Sequence, residues 1–139
     1  MKKIILLLSV VALVFTSCSS DDDGSSNNDP FVGNWQYYKY YENGVEMQLE
    51  PCEDETTFQI LANGNFVTTF YVEGSNGNCM LEGSISGTWS NVGNGFYSTT
   101  VDGETETVEV IFDGNTFYFE DTYFDGTNTI TYRDVFIKI

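Results

Sequence analysis

The sequence has 139 residues, enough for one domain, with a formal net charge of −16 and no histidine. Such an acidic surface repels phosphate backbones and excludes nucleic acid as a partner, and the missing histidine removes the commonest general base and metal ligand together. Aromatic residues make up 16% of the chain, an apolar payload that excludes a disordered protein.

Met1-Lys2-Lys3 is a positively charged start, and Ile4 to Phe15 is apolar apart from Ser9. The run is too short to span a bilayer comfortably and reads as a secretory signal. Phe15-Thr16-Ser17-Cys18 resembles the lipobox of bacterial lipoproteins, where small residues precede an invariant Cys; Phe15 departs from the usual Leu. The resemblance implies a signal peptide over residues 1–17, cut before Cys18, and a lipid on Cys18. Several acyl chains on one residue anchor a protein to the membrane stably, where a single chain is marginal. Loss of Lys2 and Lys3 leaves three basic residues against 21 acidic ones. Ser19 to Asp29 holds only Ser, Asp, Asn and Gly, so residues 18–29 are read as a lipidated Cys on a disordered acidic tether. Ser20-Asp21-Asp22-Asp23 resembles the acidic export signal of surface lipoproteins in flavobacteria and their relatives. That implies a place on the outer membrane, displayed on its outer face. The plainer reading is a solvated linker facing the periplasm.

From Pro30 to Ile139 the apolar period is two, and turn signals recur at short intervals. Asn63-Gly64-Asn65, Gly93-Asn94-Gly95, Asp102-Gly103, Asp113-Gly114-Asn115 and Asp125-Gly126 supply the positive φ of tight hairpins. They separate eight runs of strand length: about 34–43, 55–61, 65–73, 80–90, 95–101, 104–112, 115–124 and 128–138. Phe66, Thr68, Phe70 and Val72 share one face of the third run, and Val108, Val110 and Phe112 one face of the sixth. The first is aromatic on both faces, with Trp35 and Tyr37 on one side and Tyr38 and Tyr40 on the other. Pro30 and Pro51 lie outside the runs, and no window shows a helical period. A meander of this kind makes either a closed barrel or a two-layer sandwich. Closure removes exposed edges, so residues 30–139 are expected to form an all-β, eight-stranded antiparallel up-and-down barrel, the last strand paired with the first.

Gly33-Asn34-Trp35 at the start of the first run is similar to the signature of lipocalins. The order Gly-x-Trp, Cys52, Phe58 to Gly64, Cys79 and Gly87-Thr88-Trp89 resembles more closely the bacterial lipocalin-like domains of small lipoproteins. The likeness covers about residues 30–139. It implies that Trp35 plugs one barrel end under a basic side chain from the last strand, for which Arg133 is the candidate. Cation–π packing there would contribute about 0.5–2 kcal/mol. The plainer reading sets Arg133 on the surface, paired to one of the many carboxylates. Cys52 and Cys79 are expected to form a disulfide, which export favours. The starts of the second and fourth strands lie at the same barrel end, about 9–10 Å apart at ladder spacing. That exceeds the usual Cα separation of a disulfide, so the cysteines must sit in the entry loops. A two-cysteine metal site is the rival and lacks further soft ligands.

No enzyme is expected. Apart from the two signal lysines, only Lys39 and Lys138 could replace histidine beside a nucleophile, and no strand-to-helix phosphate loop exists. Nothing positions a carboxylate pair for glycoside chemistry. Glu53-Asp54-Glu55 lacks the alternating ligand spacing of a calcium loop. No metal or cofactor is expected. Eight-stranded barrels are either filled by side chains or hold one small ligand. One reading is a monomeric, lipid-anchored carrier or sensor of a small apolar ligand. Its candidate lining is Tyr37, Phe58, Phe66 and Phe70, with Trp89, Phe96, Phe117 and Phe119. Gly83 and Gly87 either leave space for it or mark bends. The alternative is a filled barrel that binds a protein or glycan at the cell surface through Tyr38, Tyr40, Tyr71 and Tyr118. A cavity of about a few hundred Å³ would favour the carrier.

Overall fold

A computed structural model describes residues 29–139. The expected signal peptide, Cys18 and residues 19–28 of the tether lie outside the described residues. Ten strands run in chain order: β1 (Gly33–Glu42), β2 (Val45–Met47), β3 (Thr57–Ile60), β4 (Asn65–Glu73), β5 (Cys79–Gly93), β6 (Phe96–Val101), β7 (Glu104–Glu109), β8 (Ile111–Asp113), β9 (Thr116–Phe124) and β10 (Thr129–Lys138). A 3-10 turn, Glu53–Glu55, precedes β3. The hydrogen-bonded order is β7-β6-β5-β4-β3-β1-β10-β9-β8, all antiparallel, with β2 added beside the far half of β1.

The last strand pairs with the first, from Trp35 opposite Lys138 to Glu42 opposite Tyr132. Two features correct the expected count of eight. Asn43 and Gly44 both adopt positive φ, which makes a tight hairpin and adds β2. The sixth run divides at Val110, which continues the β6–β7 register by donating its N–H to the Gly95 carbonyl at 2.8 Å, and only from Ile111 does the chain pair with β9. The division also corrects the expectation of complete closure: the ladder is open between β7 and the far half of β9. Continuing the β8–β9 register past Ile111–Tyr118 would set Glu109 opposite Glu120. Like charges facing each other across strands repel. β7 bonds to β6 alone, and the chain itself bridges the seam through Val110.

Two bulges decide what faces inward. In β1, Tyr37 pairs with Phe136 and Lys39 with Val135, so Tyr38 is the extra residue. Parity shifts there, and Tyr40 joins Tyr37 on the face of Asp134 and Phe136. The expected alternation, with Tyr40 opposite Tyr37, is overturned. A second bulge lies in β5, where Phe70 pairs with Gly83 and Tyr71 with Leu81, so Glu82 is the extra residue. The core lies toward one end, where Phe31, Trp35, Ile60, Phe66, Trp89 and Phe117 are buried together.

Candidate functional site

One end of the barrel is shut. The Trp35 indole N–H donates to the Phe31 carbonyl at 2.9 Å, which folds the segment before β1 back beneath the sheet. Phe31 is buried although it belongs to no strand. Asp29 secures it: its Oδ1 accepts from the Phe31 N–H and from the Tyr97 hydroxyl, both at 2.9 Å, and its Oδ2 from Asn91 at 2.7 Å. Burial, then this bond, pushes the Tyr97 phenol up. Asp29, read from the sequence as tether, therefore belongs to the folded unit. Trp89 donates its indole N–H to the Leu61 carbonyl at 2.8 Å and closes the same end.

The expected partner of Trp35 is corrected. Arg133 lies on the outer face, 4.5 Å from the Tyr118 ring centroid and paired to Glu120 at 2.6 Å. Lys138 takes the role, with its Nζ 5.1 Å from the Trp35 ring. It is the cross-strand partner of Trp35 and so shares its face. Gly33 makes room, since a Cβ there would come within 2.9 Å of the Lys138 Cε and its φ is +152°.

Above this floor lies a cavity of about 760 Å³, within the size range of small-molecule sites. Phe31 forms its base, and Phe58, Phe66, Phe70, Phe119 and Phe136 form its walls. Tyr37 from the candidate set also lines it. Three candidates lie elsewhere. Phe117 is fully buried beneath the cavity, its ring stacked on Phe136 at 4.9 Å. Trp89 is packed against Phe31 at the closed end. Phe96 is 41% exposed. Its neighbour Tyr97 faces the cavity instead, opposite Val108. That was readable: the two-residue Asp102-Gly103 turn fixes the β6–β7 register, and Val108 already belonged to an apolar face. Tyr71, expected on the outer face, lines the cavity instead, and Phe31 and Asp134 also went unread.

The open end is acidic. Glu50, Glu53, Glu73, Glu82 and Glu106 surround it, and neither lysine nor arginine lines the cavity. The Cys52–Cys79 disulfide, with Cα atoms 5.5 Å apart, ties the loop carrying Glu50 and Glu53 to the start of β5. Cys52 takes a left-handed φ of 73° in that loop, as expected, but Cys79, also expected in a loop, is instead the first residue of β5, paired with Glu73. Asp134 is the one acid set among the apolar walls. It accepts a hydrogen bond from the Tyr37 hydroxyl at 2.5 Å. Burial holds its carboxyl above the usual range, against the Tyr37 bond, and the charges of Glu53 and Asp121 add to the rise. The Tyr37 phenol is pushed up, chiefly by burial and then by Asp134. Among the described residues no cluster of His, Cys, Asp and Glu is disposed to hold a metal ion.

The lipocalin-like domain family matches residues 31–119, from the floor phenylalanine to the middle of β9. The chain belongs to the lipocalin-like domain family. Solved structures with a related shape include the bovine lipocalin allergen Bos d 2, at 18% identity over 80% of this chain and 75% of that one, with a TM-score of 0.43. The odorant-binding protein OBP1 aligns at 16% identity over 79% of this chain and 72% of that one, TM-score 0.43. A deswapped triple mutant of bovine odorant-binding protein aligns at 16% over 79% and 74%, TM-score 0.41. No curated protein matches the sequence. The lipocalin-like match includes Gly33, Trp35 and both barrel cysteines, and stops short of β10, which supplies Asp134 and Lys138.

Proposed function

We propose that this lipocalin-like protein is a binding protein, not an enzyme, which carries or senses a small apolar ligand while anchored to the outer membrane through a lipid on Cys18. The cavity of about 760 Å³, with five phenylalanine walls above the Phe31 base, carries the ligand half of this reading. Burying an apolar ligand there gains about 25 cal/mol for each Å² removed from water. The apolar run ending at Cys18, the polar tether and the acidic Asp21-Asp22-Asp23 support the anchor and display on the cell surface. The filled-barrel alternative loses support, because Tyr71 lines the cavity and Tyr40 shares the face of Asp134.

Native mass spectrometry of protein released gently from its own cells tests the ligand. A reproducible extra small-molecule mass is expected, and clean apo protein, together with no uptake of apolar dyes by the refolded barrel, refutes the carrier. Cys18→Ser should move the protein from the membrane fraction to the soluble one. Unchanged membrane retention would refute the anchor.

A further inference from the structure

The charge of the cavity is one-sided. Asp134 sits among phenylalanine rings, and five glutamates stand at the opening. The three basic side chains of the described residues are all engaged elsewhere: Lys39 with Glu46, Arg133 with Glu120, and Lys138 over Trp35. Tyr37 donates to one Asp134 oxygen, and the other accepts no hydrogen bond from the described residues.

We infer that the cavity selects ligands with an apolar body and a positively charged amine, whose ammonium pairs with Asp134. This deepens the carrier reading and rests on it. A neutral apolar ligand would cover the Asp134 carboxylate without compensating it, which is unfavourable. An anionic ligand, such as a fatty acid, would pass the five glutamates and then meet a sixth carboxylate with no cation to receive it. An ammonium gains a charge-assisted hydrogen bond to the free Asp134 oxygen. The glutamates then work in its favour, since a mouth of one sign concentrates the opposite charge from solution. Their side chains stay near water, so they steer the ligand and Asp134 holds it.

A matched set of eight-carbon probes separates these cases: octylamine, octanol and octanoate, each titrated by calorimetry into the folded chain at pH 7. Octylamine should bind about tenfold or more tighter than octanol, with octanoate the weakest. Asp134→Asn keeps the acceptor for Tyr37 and removes the charge. In that variant the advantage of octylamine over octanol should vanish, and octanol should bind at least as tightly as before because it no longer covers a charge; an unchanged far-ultraviolet circular dichroism spectrum shows that the barrel remains folded. Equal binding of octylamine and octanol by the unaltered chain overturns the inference and leaves the carrier intact. An amine advantage that survives in Asp134→Asn overturns it too, since surface charge alone would then explain the preference. Failure of all three probes to bind overturns the carrier reading and this inference with it.

Discussion

Replacing Phe31 with alanine tests whether the segment ahead of β1 is built into the barrel. Phe31 is 3% exposed, and its ring meets Phe58, Trp89, Tyr97 and Phe117 at centroid distances of 4.7 to 5.8 Å. Burying a phenylalanine side chain contributes about 1.5–3 kcal/mol, and edge-on aromatic contacts about 0.5–1.5 kcal/mol more. The usual void penalty is reduced, because Phe31 lines the ligand cavity and its removal widens an existing space. The loss should therefore be about 3 kcal/mol, the low end for a phenylalanine-to-alanine change. Trp35 keeps its hydrogen bond, which goes to the Phe31 backbone. In urea, followed by tryptophan fluorescence, the midpoint should fall by about 1.5 M at an unchanged slope of about 2 kcal/mol/M. Phe124→Ala is the control: its ring is 62% exposed, and the change should stay within about 0.5 kcal/mol. A loss under about 1 kcal/mol for Phe31→Ala would mean that residues 29–32 are not packed beneath the barrel in solution, and the floor of the cavity would have to be something else.

Three further outcomes follow from the same geometry. Cys52→Ala with Cys79→Ala should lose about 3.5 kcal/mol in the chain-entropy model, given a sequence separation of 27 residues; a double variant as stable as the oxidised chain in urea would count against the loop-pinning role. Gly87→Ala should lose about 2 kcal/mol or more in thermal unfolding, because its Cβ would press on the Thr100 carbonyl and lie 2.8 Å from the Phe66 ring, whereas Gly83→Ala meets nothing within 4 Å and should be close to neutral. Asp134 has a pKa raised by burial, so the folded chain binds that proton more tightly than the unfolded one; its favourable contribution is complete below the ordinary carboxylate range and is lost as pH rises through the folded pKa. Asp134→Asn should then be more stable than the unaltered chain at pH 7 and lose the advantage near about pH 3.5; an advantage constant with pH would refute that sign.

Most of the fold is legible because hairpins write their chemistry locally. Asn94-Gly95 and Asp102-Gly103 both adopt the positive φ that their residue types announce. Asn43-Gly44 carries the same signal, and β2 was missed only because a three-residue exposed strand has no apolar face to reveal it. Other features leave no such mark. The bulge at Tyr38 falls in an unbroken aromatic run, where a shift of parity exchanges one aromatic ring for another. The lipocalin likeness asks for a basic side chain of the last strand over Trp35 without saying which, and no turn joins β1 to β10 to decide between Arg133 and Lys138. The register of these two strands is set by the packing of the whole sheet, and it puts Lys138 opposite Trp35. Phe31 precedes the first strand, so periodicity could not reach it. Asp134 looked like any other acid, since a charge among apolar walls is recognisable only once the walls are in place.

The persistence of the cavity follows from its charges as much as from its shape. The segment best placed to fill it is the loop from Glu50 to Thr56, already held at the mouth by the disulfide. Moving that loop inward would carry Glu50 and Glu53 out of water and toward Asp134, which combines desolvation with like-charge repulsion. Neutralising that charge from within would need a lysine or arginine, and all three in the described chain point to other partners. At the opposite end the arrangement is reversed. Asp29 is surrounded by the Phe31 N–H, Tyr97 and Asn91 as donors, so a carboxylate there draws the chain inward and seals it. The same residue type therefore closes one end and holds the other open, and the difference lies in whether the neighbouring groups can donate.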